Sequence, residues 1–156
     1  MRILVFSDSH GTTSLIEQAI ESHPEAEHIF FLGDGLREFE NITYIYDNKH
    51  YHMVSGNCDF GSMTPCADLV TLFGKKILFT HGHSYLVKGG LTLLKEWGRV
   101  QNAALVLFGH THTPLTEYDG GTHYVNPGSI SARGGMGSYA VIDIEPSGIM
   151  PIIKKI

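Results

Sequence analysis

Cysteine is scarce in this chain. Cys58 and Cys66 are the only two, which excludes a disulfide framework and a four-cysteine zinc site. Long apolar runs are missing as well. None approaches the ~20 residues that span a bilayer. The first strand-like run, Ile3–Phe6, is too short for a signal-peptide core and stops at Ser7-Asp8. The expectation is a cytoplasmic protein with no membrane association. Positive charge is in deficit, with 11 Lys+Arg against 16 Asp+Glu and a formal net charge of -5. A protein that binds duplex nucleic acid carries a basic face, so no duplex binding is expected. A nuclease would further need a path for the strand, and neither a basic stripe nor a stacking platform is visible. Hydrophobic residues are not in short supply: at 42% against 17% charged, the composition is that of a globular chain and not a disordered one. A length of 156 residues suits one domain, residues 1–156, with one core.

Histidine and glycine are abundant, at 10 and 18 residues. Histidine is the commonest metal ligand, and glycine lets the backbone bend tightly around a site. Short runs rich in Ile, Val, Phe and Tyr read as strands: Ile3–Phe6, Ile29–Leu32, Tyr51–Val54, Leu69–Phe73, Ile77–Phe79, Leu105–Phe108, His123–Val125 and Tyr139–Ile144. Two stretches have helical periodicity. Ser14 to Ser22 places Leu15, Ile16, Ala19 and Ile20 on one face, with Ser14 and Glu17 positioned for a capping box. Leu91 to Val100 is the second, and a weaker helical turn is expected near Leu36–Asn41. Alternating strands and helices in the first half imply crossovers and parallel pairing. After Leu115 the separators Asp119-Gly120-Gly121 and Pro146-Ser147-Gly148 imply antiparallel hairpins. The expected fold is α/β, with two packed sheets covered by helices.

The polar clusters follow the apolar runs. "SDSHG" brings Asp8 and His10 after the first run, and "LGDG" brings Asp34 after the second. "SGNCD" brings Asn57 after the third, "FTHGH" brings His81, and "LFGHTH" brings His110 and His112. Ligands of open α/β sheets bind beyond the carboxyl ends of the strands. If these strands share one sheet edge, seven metal-competent side chains converge. Carboxylate, amide oxygen and imidazole with no obligatory thiolate suit Mn²⁺, Fe²⁺, Co²⁺, Ni²⁺ or Zn²⁺, whereas a Mg²⁺ or Ca²⁺ site would carry more oxygen. Seven ligands exceed what one open catalytic ion needs and suit two ions roughly 3.5–4 Å apart sharing a carboxylate.

Each residue taken singly has a plainer reading. An aspartate at a strand end is commonly a turn or helix cap, and a lone histidine is commonly a core or surface residue. That reading is kept for His23, His28, His50, His52 and His123, while His83 of "HGH" could face a substrate or support a ligand. Cys66 reads as a small packing or loop residue. Asn126-Pro127-Gly128 could be a turn, and Arg133 a surface arginine. The functional case rests on the joint pattern at successive strand ends.

That pattern resembles a known family. The order D-X-H (Asp8, His10), G-D (Gly33, Asp34), G-N (Gly56, Asn57), H-G-H (His81 to His83) and G-H-T-H (Gly109 to His112) is similar to the calcineurin-like metallophosphoesterases. "GNCD" and "VNPGSIS" make it similar to the compact bacterial and archaeal phosphodiesterase branch. The resemblance implies a four-layer α-β-β-α sandwich of two mixed sheets flanked by helices. It implies two divalent ions, Mn²⁺ first among the candidates, one held by Asp8, His10, Asp34 and His112 and the other by Asp34, Asn57, His81 and His110. It also implies a metal-dependent phosphodiesterase in which hydroxide bound to the binuclear centre attacks a small phosphoester substrate. Asp34, Asn57, Cys58 and His83 are the candidate catalytic residues. In the family the "NPGS" segment lies near the site, so Asn126 could orient a ligand and Arg133 could reach a phosphate.

One departure stands out. Many members of the family carry G-N-H-[DE], whereas this chain has Cys58 at the histidine's place. A neutral thiol with a pKa near ~8.5 is a poor stand-in for an imidazolium. Diesters with good leaving groups, such as aryl phosphodiesters, are therefore expected over alkyl monoesters. The competing expectation is a non-catalytic scaffold for protein–protein interaction, as in the retromer subunit that resembles this family. The intact D-X-H, G-D and G-N set favours the enzyme. The sequence is compatible with a homo-oligomer as well as with a monomer.

Overall fold

The computed structural model describes residues 1–133 and 135–156. The chain runs β1 (Arg2–Phe6), α1 (Ser14–Ser22), β2 (His28–Phe31), α2 (Leu36–Ile45), β3 (His50–Met53), β4 (Ala67–Leu72) and β5 (Lys75–Thr80). Two short 3₁₀ turns, His83–Tyr85 and Val87–Gly89, precede α3 (Thr92–Val100). The rest is β6 (Leu105–Phe108), β7 (Leu115–Asp119), β8 (Thr122–Asn126), β9 (Ser138–Glu145) and β10 (Gly148–Lys155). No described helix is long and apolar enough to cross a membrane.

The strands form two five-stranded mixed sheets, ordered β10-β9-β1-β2-β3 and β4-β5-β6-β8-β7. Period-two alternation explains the layering. In the first sheet Ile3, Val5, Phe30 and Leu32 point to the second sheet, where Ile77, Phe79, Leu105 and Leu107 meet them in a central core. The intervening Leu4, Phe6, Ile29 and Phe31 point outward against Ile16, Ala19 and Ile20 of α1 and Leu36, Phe39 and Ile42 of α2. On the far side Leu78, Val106, Phe108 and Tyr124 pack under Leu94 of α3. Three apolar interlayers make four layers, the expected α-β-β-α sandwich. Phe31 and Phe39 stack at 4.2 Å, and burying each such side chain contributes about 1.5–3 kcal/mol.

Parallel pairing of β1, β2 and β3 follows the expectation for the first half, and the hairpins β7–β8 and β9–β10 follow it for the second. Other expectations change. The functional strand ends do not share one sheet edge: β1, β2 and β3 belong to one sheet, β5 and β6 to the other. The cluster forms because the carboxyl ends of both parallel groups open onto the same end of the sandwich. The Leu36–Asn41 turn is a ten-residue helix, Leu36–Ile45, stabilised by packing onto β2 and not by strong local propensity. Phe73 does not belong to a strand. It sits at φ 50° beside Gly74 at φ 70° in the turn of the β4–β5 hairpin, the backbone that two-residue hairpin turns need. The capping box is absent as well: Ser14 is already the first helical residue, and Thr13 before it makes no side-chain cap bond.

Candidate metal centre

Five loops carry the site, and their backbones are unusual. Asp8, His10, Asp34, His110 and His112 all have positive φ, between 46° and 68°. A side-chain-bearing residue in the left-handed region costs about 1–3 kcal/mol and persists where the surroundings over-determine it. Here they do. The Asp8 N–H donates to Gly33 O, and the His10 N–H donates to Asp34 O, both at 2.9 Å. Glycine is required at two approaches. A methyl group at Gly56 would land on Asp34 Oδ1, and one at Gly109 would press on Ser7 Oγ and Asp8 Oδ2. The glycines of "GN" and "GHTH" thus let two loops close onto the carboxylates.

All seven residues singled out at strand ends meet. His10 Nε2 lies 3.4 Å from His112 Nε2, and His112 Nε2 lies 3.1 Å from Asp8 Oδ1. Asp8 Oδ1 is 4.0 Å from His81 Nε2, which is itself 3.5 Å from Asp34 Oδ2. The same His81 nitrogen is 3.1 Å from Asn57 Oδ1 and 3.1 Å from His110 Nδ1. Asp8, Asp34 and His81 are buried, while Asn57 and His112 are exposed. The cluster is therefore closed beneath and open above. Three overlapping groups have ligand atoms all within 4.8 Å of one another: Asp8 with His10 and His112, Asp8 with Asp34 and His81, and His10 with Asp34 and Cys58.

Supporting bonds orient these atoms. His81 Nδ1 is 2.7 Å from the Leu32 carbonyl, which places the ring proton on Nδ1 and turns the Nε2 lone pair into the cluster. Asp8 Oδ2 accepts from Ser7 Oγ at 2.5 Å and from the His110 N–H at 3.1 Å. Its other oxygen, Oδ1, is buried with no hydrogen-bond partner among the described residues, and so is His83 Nδ1. Burial, followed by the neighbouring His81, holds the imidazoles of His83 and His110 below their ordinary range, and Lys88 adds to this at His110. Partial burial and then the adjacent Asp34 carboxylate push the Cys58 thiol up.

The structure assigns each remaining candidate a place. His83 flanks the cluster, its ring 5.4 Å from His81 and 6.2 Å from His110. Asn126 is buried and holds the "GHTH" loop, its Nδ2 donating to Gly109 O and Thr111 Oγ1, both at 3.0 Å. Arg133 lines a cleft beside the cluster, together with Arg37, Phe60 and Met63. The histidines given a plainer reading stay outside: His23 meets Tyr139 Oη at 3.2 Å, His123 packs on Tyr118, and His28 pairs with His52 at 3.0 Å.

Asp59 is the residue that sequence reasoning missed. Its carboxylate accepts from the N–H groups of Asp34 and Gly56, both at 2.7 Å, of Gly35 at 2.8 Å and of Leu36 at 2.9 Å. One side chain thereby clamps the "GDG" loop to the "GNC" loop. Burial pushes this carboxyl up, but the four donors outweigh it and hold it below the usual carboxylate range. The one signal in the sequence is its place three residues after Gly56 in "GNCD".

Known proteins resemble this chain in sequence and fold. The pattern of the calcineurin-like phosphoesterase superfamily domain matches residues 1–147. The chain is 35% identical over 150 residues to the probable metallophosphoesterase YsnB of Bacillus subtilis, which covers 93% of this chain and 85% of that one. It is 28% identical over 169 residues to the phosphodiesterase YfcE of Escherichia coli, covering 92% and 88% of the two chains. The structure of Vps29 from Entamoeba histolytica complexed with zinc superposes with a TM-score of 0.80 at 19% identity, covering 100% and 98%. At that identity the likeness is one of fold alone. With a family match across nearly the whole sequence and a bacterial relative above 30% identity, the chain belongs to the calcineurin-like phosphoesterase superfamily.

Proposed function

We propose that residues 1–156 form a single metallophosphoesterase domain that hydrolyses phosphodiesters with the help of two divalent ions. The observation that carries this reading is Asp8 Oδ1, a buried carboxylate oxygen that accepts no hydrogen bond and faces only imidazole nitrogens, His112 Nε2 at 3.1 Å and His81 Nε2 at 4.0 Å, at the centre of seven converging side chains. An unsatisfied buried oxygen of this kind is costly, and a cation is the natural compensation. Two buried carboxylates, an amide oxygen and four imidazoles fit a borderline divalent ion, with Mn²⁺ first and Ni²⁺, Fe²⁺, Co²⁺ or Zn²⁺ as alternatives. In this reading Asp8, His10, Asp34 and His112 hold one ion, and Asp34, Asn57, His81 and His110 hold the other. Bound there, two such ions supply Lewis acidity that acidifies water and neutralises charge on phosphoryl oxygens.

The chain's own residues set the rest. Asp34 is tied by its backbone to Asp59, and Cys58 N–H donates to its Oδ1 at 2.8 Å, so the shared carboxylate is fixed before substrate arrives. Cys58 is a weak proton donor to a departing alkoxide. His83, whose Nδ1 is buried and unpartnered, is the imidazole placed to assist on the other flank. The adjoining cleft, about 760 Å³, offers Phe60 and Met63, which are 91% and 97% exposed, as an apolar wall. Arg37 and Arg133 line the same cleft. A good leaving group and an apolar wall together favour aryl phosphodiesters over alkyl monoesters. The free thiols of Cys58 and Cys66 suit the reducing cytoplasm.

Protein purified without chelator, assayed on bis(p-nitrophenyl) phosphate with added Mn²⁺ and again with EDTA, tests the reading. Turnover that depends on the metal is expected. Absence of turnover across several divalent metals would replace the enzyme with a protein-binding scaffold. That second reading draws on the fold shared with Vps29 and on the exposed Phe60 and Met63.

A further inference from the structure

The group of His10, Asp34 and Cys58 stands apart from the ligand sets above because it contains sulfur. A nitrogen of His10, a carboxylate oxygen of Asp34 and Cys58 Sγ all lie within 4.8 Å of one another. Cys58 is not there by loop drift. Its N–H donates to Asp34 Oδ1 at 2.8 Å, and Asn57 Nδ2 lies 3.5 Å from its sulfur. A second observation marks the same pocket as ready for a cation: the orphaned Asp8 Oδ1 belongs to the overlapping group with His10 and His112. The sulfur thus sits on the rim of a space whose floor holds a buried carboxylate oxygen that accepts no hydrogen bond.

Imidazole already favours Zn²⁺ over Mn²⁺, and a thiolate widens that gap, most of all for a soft ion such as Cd²⁺. We propose that Cys58 is the metal-discriminating residue of this centre: toward thiophilic ions such as Zn²⁺ or Cd²⁺ its sulfur joins His10 and Asp34 as a ligand, and toward Mn²⁺ it stays outside the coordination shell. The proposal rests on the metal centre described under Proposed function. Ligation forms one metal–sulfur bond and breaks one S–H bond, the proton leaving to solvent; no oxidant or reductant is involved. An ion that gains sulfur has one fewer position open. Closed sets of ligands are the mark of structural sites, and catalytic ones keep a position free. Thiophilic ions are therefore bound tightly and unproductively, and the cysteine confers sensitivity to them.

The test uses the full chain as wild type, Cys58→Ser and Cys66→Ser, stripped and reloaded with Cd²⁺ or Co²⁺. A thiolate-to-metal charge-transfer band in the ultraviolet is expected in wild type and Cys66→Ser and is lost in Cys58→Ser. The ratio of Cd²⁺ to Mn²⁺ affinity is expected to fall by at least about 10- to 100-fold in Cys58→Ser, since loss of a group that merely supports a ligand already costs that much. On wild type alone, zinc X-ray absorption should show one sulfur at ~2.3 Å. Two results overturn the proposal alone: wild type that takes up these ions with nitrogen and oxygen ligands only, or a band that persists in Cys58→Ser. Wild type that takes up no divalent ion overturns the metal centre and this proposal with it.

Discussion

Asp59→Asn isolates the clamp from the groups it positions. In the wild type Oδ1 accepts from the Gly35 and Leu36 N–H groups, and Oδ2 accepts from those of Asp34 and Gly56. The amide keeps one acceptor and turns an NH₂ group toward two N–H donors, so two charge-assisted bonds are lost and the other two weaken. Hydrogen bonds to a charged group contribute about 1.5–3 kcal/mol each, giving roughly 3–6 kcal/mol for two. Asp59 is only half-buried, so water recovers part of this, and about 3 kcal/mol is expected. For a chain of this size that is about 6–12 °C in Tm, against a total stability of about 5–15 kcal/mol, so the variant still folds. The pH dependence gives a second reading. A carboxyl whose folded pKa is depressed contributes stability that is present above its unfolded value near ~3.9 and is lost as pH falls through the folded value. The gap between wild type and Asp59→Asn should therefore be full at pH 7 and narrow at acid pH. Urea unfolding at both pH values checks this. A variant with the wild-type midpoint, or a gap that does not shrink in acid, would refute the clamp.

The remaining predictions concern the site and one remote pair. Asp34→Ala should lose bound metal and lower aryl diester turnover by about 10³-fold, the scale of removing one electrostatic stabiliser; metal analysis with steady-state kinetics decides, and full metal content would contradict the shared-carboxylate role. Cys58→His should raise turnover of diesters with poor leaving groups by up to about 10²-fold, the lower end of general acid catalysis. An unchanged profile across leaving groups would hand that role to His83. Burial, then His28 and His50, push His52 down to about 4. The folded protein keeps this ring neutral while the unfolded chain protonates near ~6.5, so stability is full above that pH and falls between about 6.5 and 4. After allowance for its partial exposure, the loss is about 1–2 kcal/mol, and His52→Gln should flatten that slope in urea titrations.

Much of the site was readable because its chemistry is local: "SDSHG", "LGDG" and "GHTH" each announce donors just after an apolar run. What was not readable depends on distant pairing. Nothing near Ile3–Phe6 indicates that β1 pairs with residues 140–143, so two sheets were expected but not which strands belong to which. Helix α2 carries Ile, Thr and Tyr, which lower helical propensity, so the sequence showed only a turn near Leu36–Asn41, and the packing of Leu36, Phe39 and Ile42 under β2 explains its full length. Strand β10 contains Pro151 and is partly exposed along its length, the composition of an edge and not of a core strand. The positive φ of Asp8, His10, Asp34, His110 and His112 has no sequence mark, since aspartate and histidine are not obligatory turn formers. Asp59 looked like an ordinary acidic loop residue because its partners are backbone groups 23 to 25 positions away as well as Gly56 nearby.

The position of β1 has a consequence for biosynthesis. It lies between β2 and β9, so the strand that leads into Asp8 keeps one bare hydrogen-bonding flank until Ser138–Glu145 has left the ribosome. Unpaired apolar strands in a growing polypeptide are prone to adhere to one another. The nascent protein therefore spends most of its synthesis with its central strand unprotected, and chaperone dependence should end abruptly once that late segment emerges.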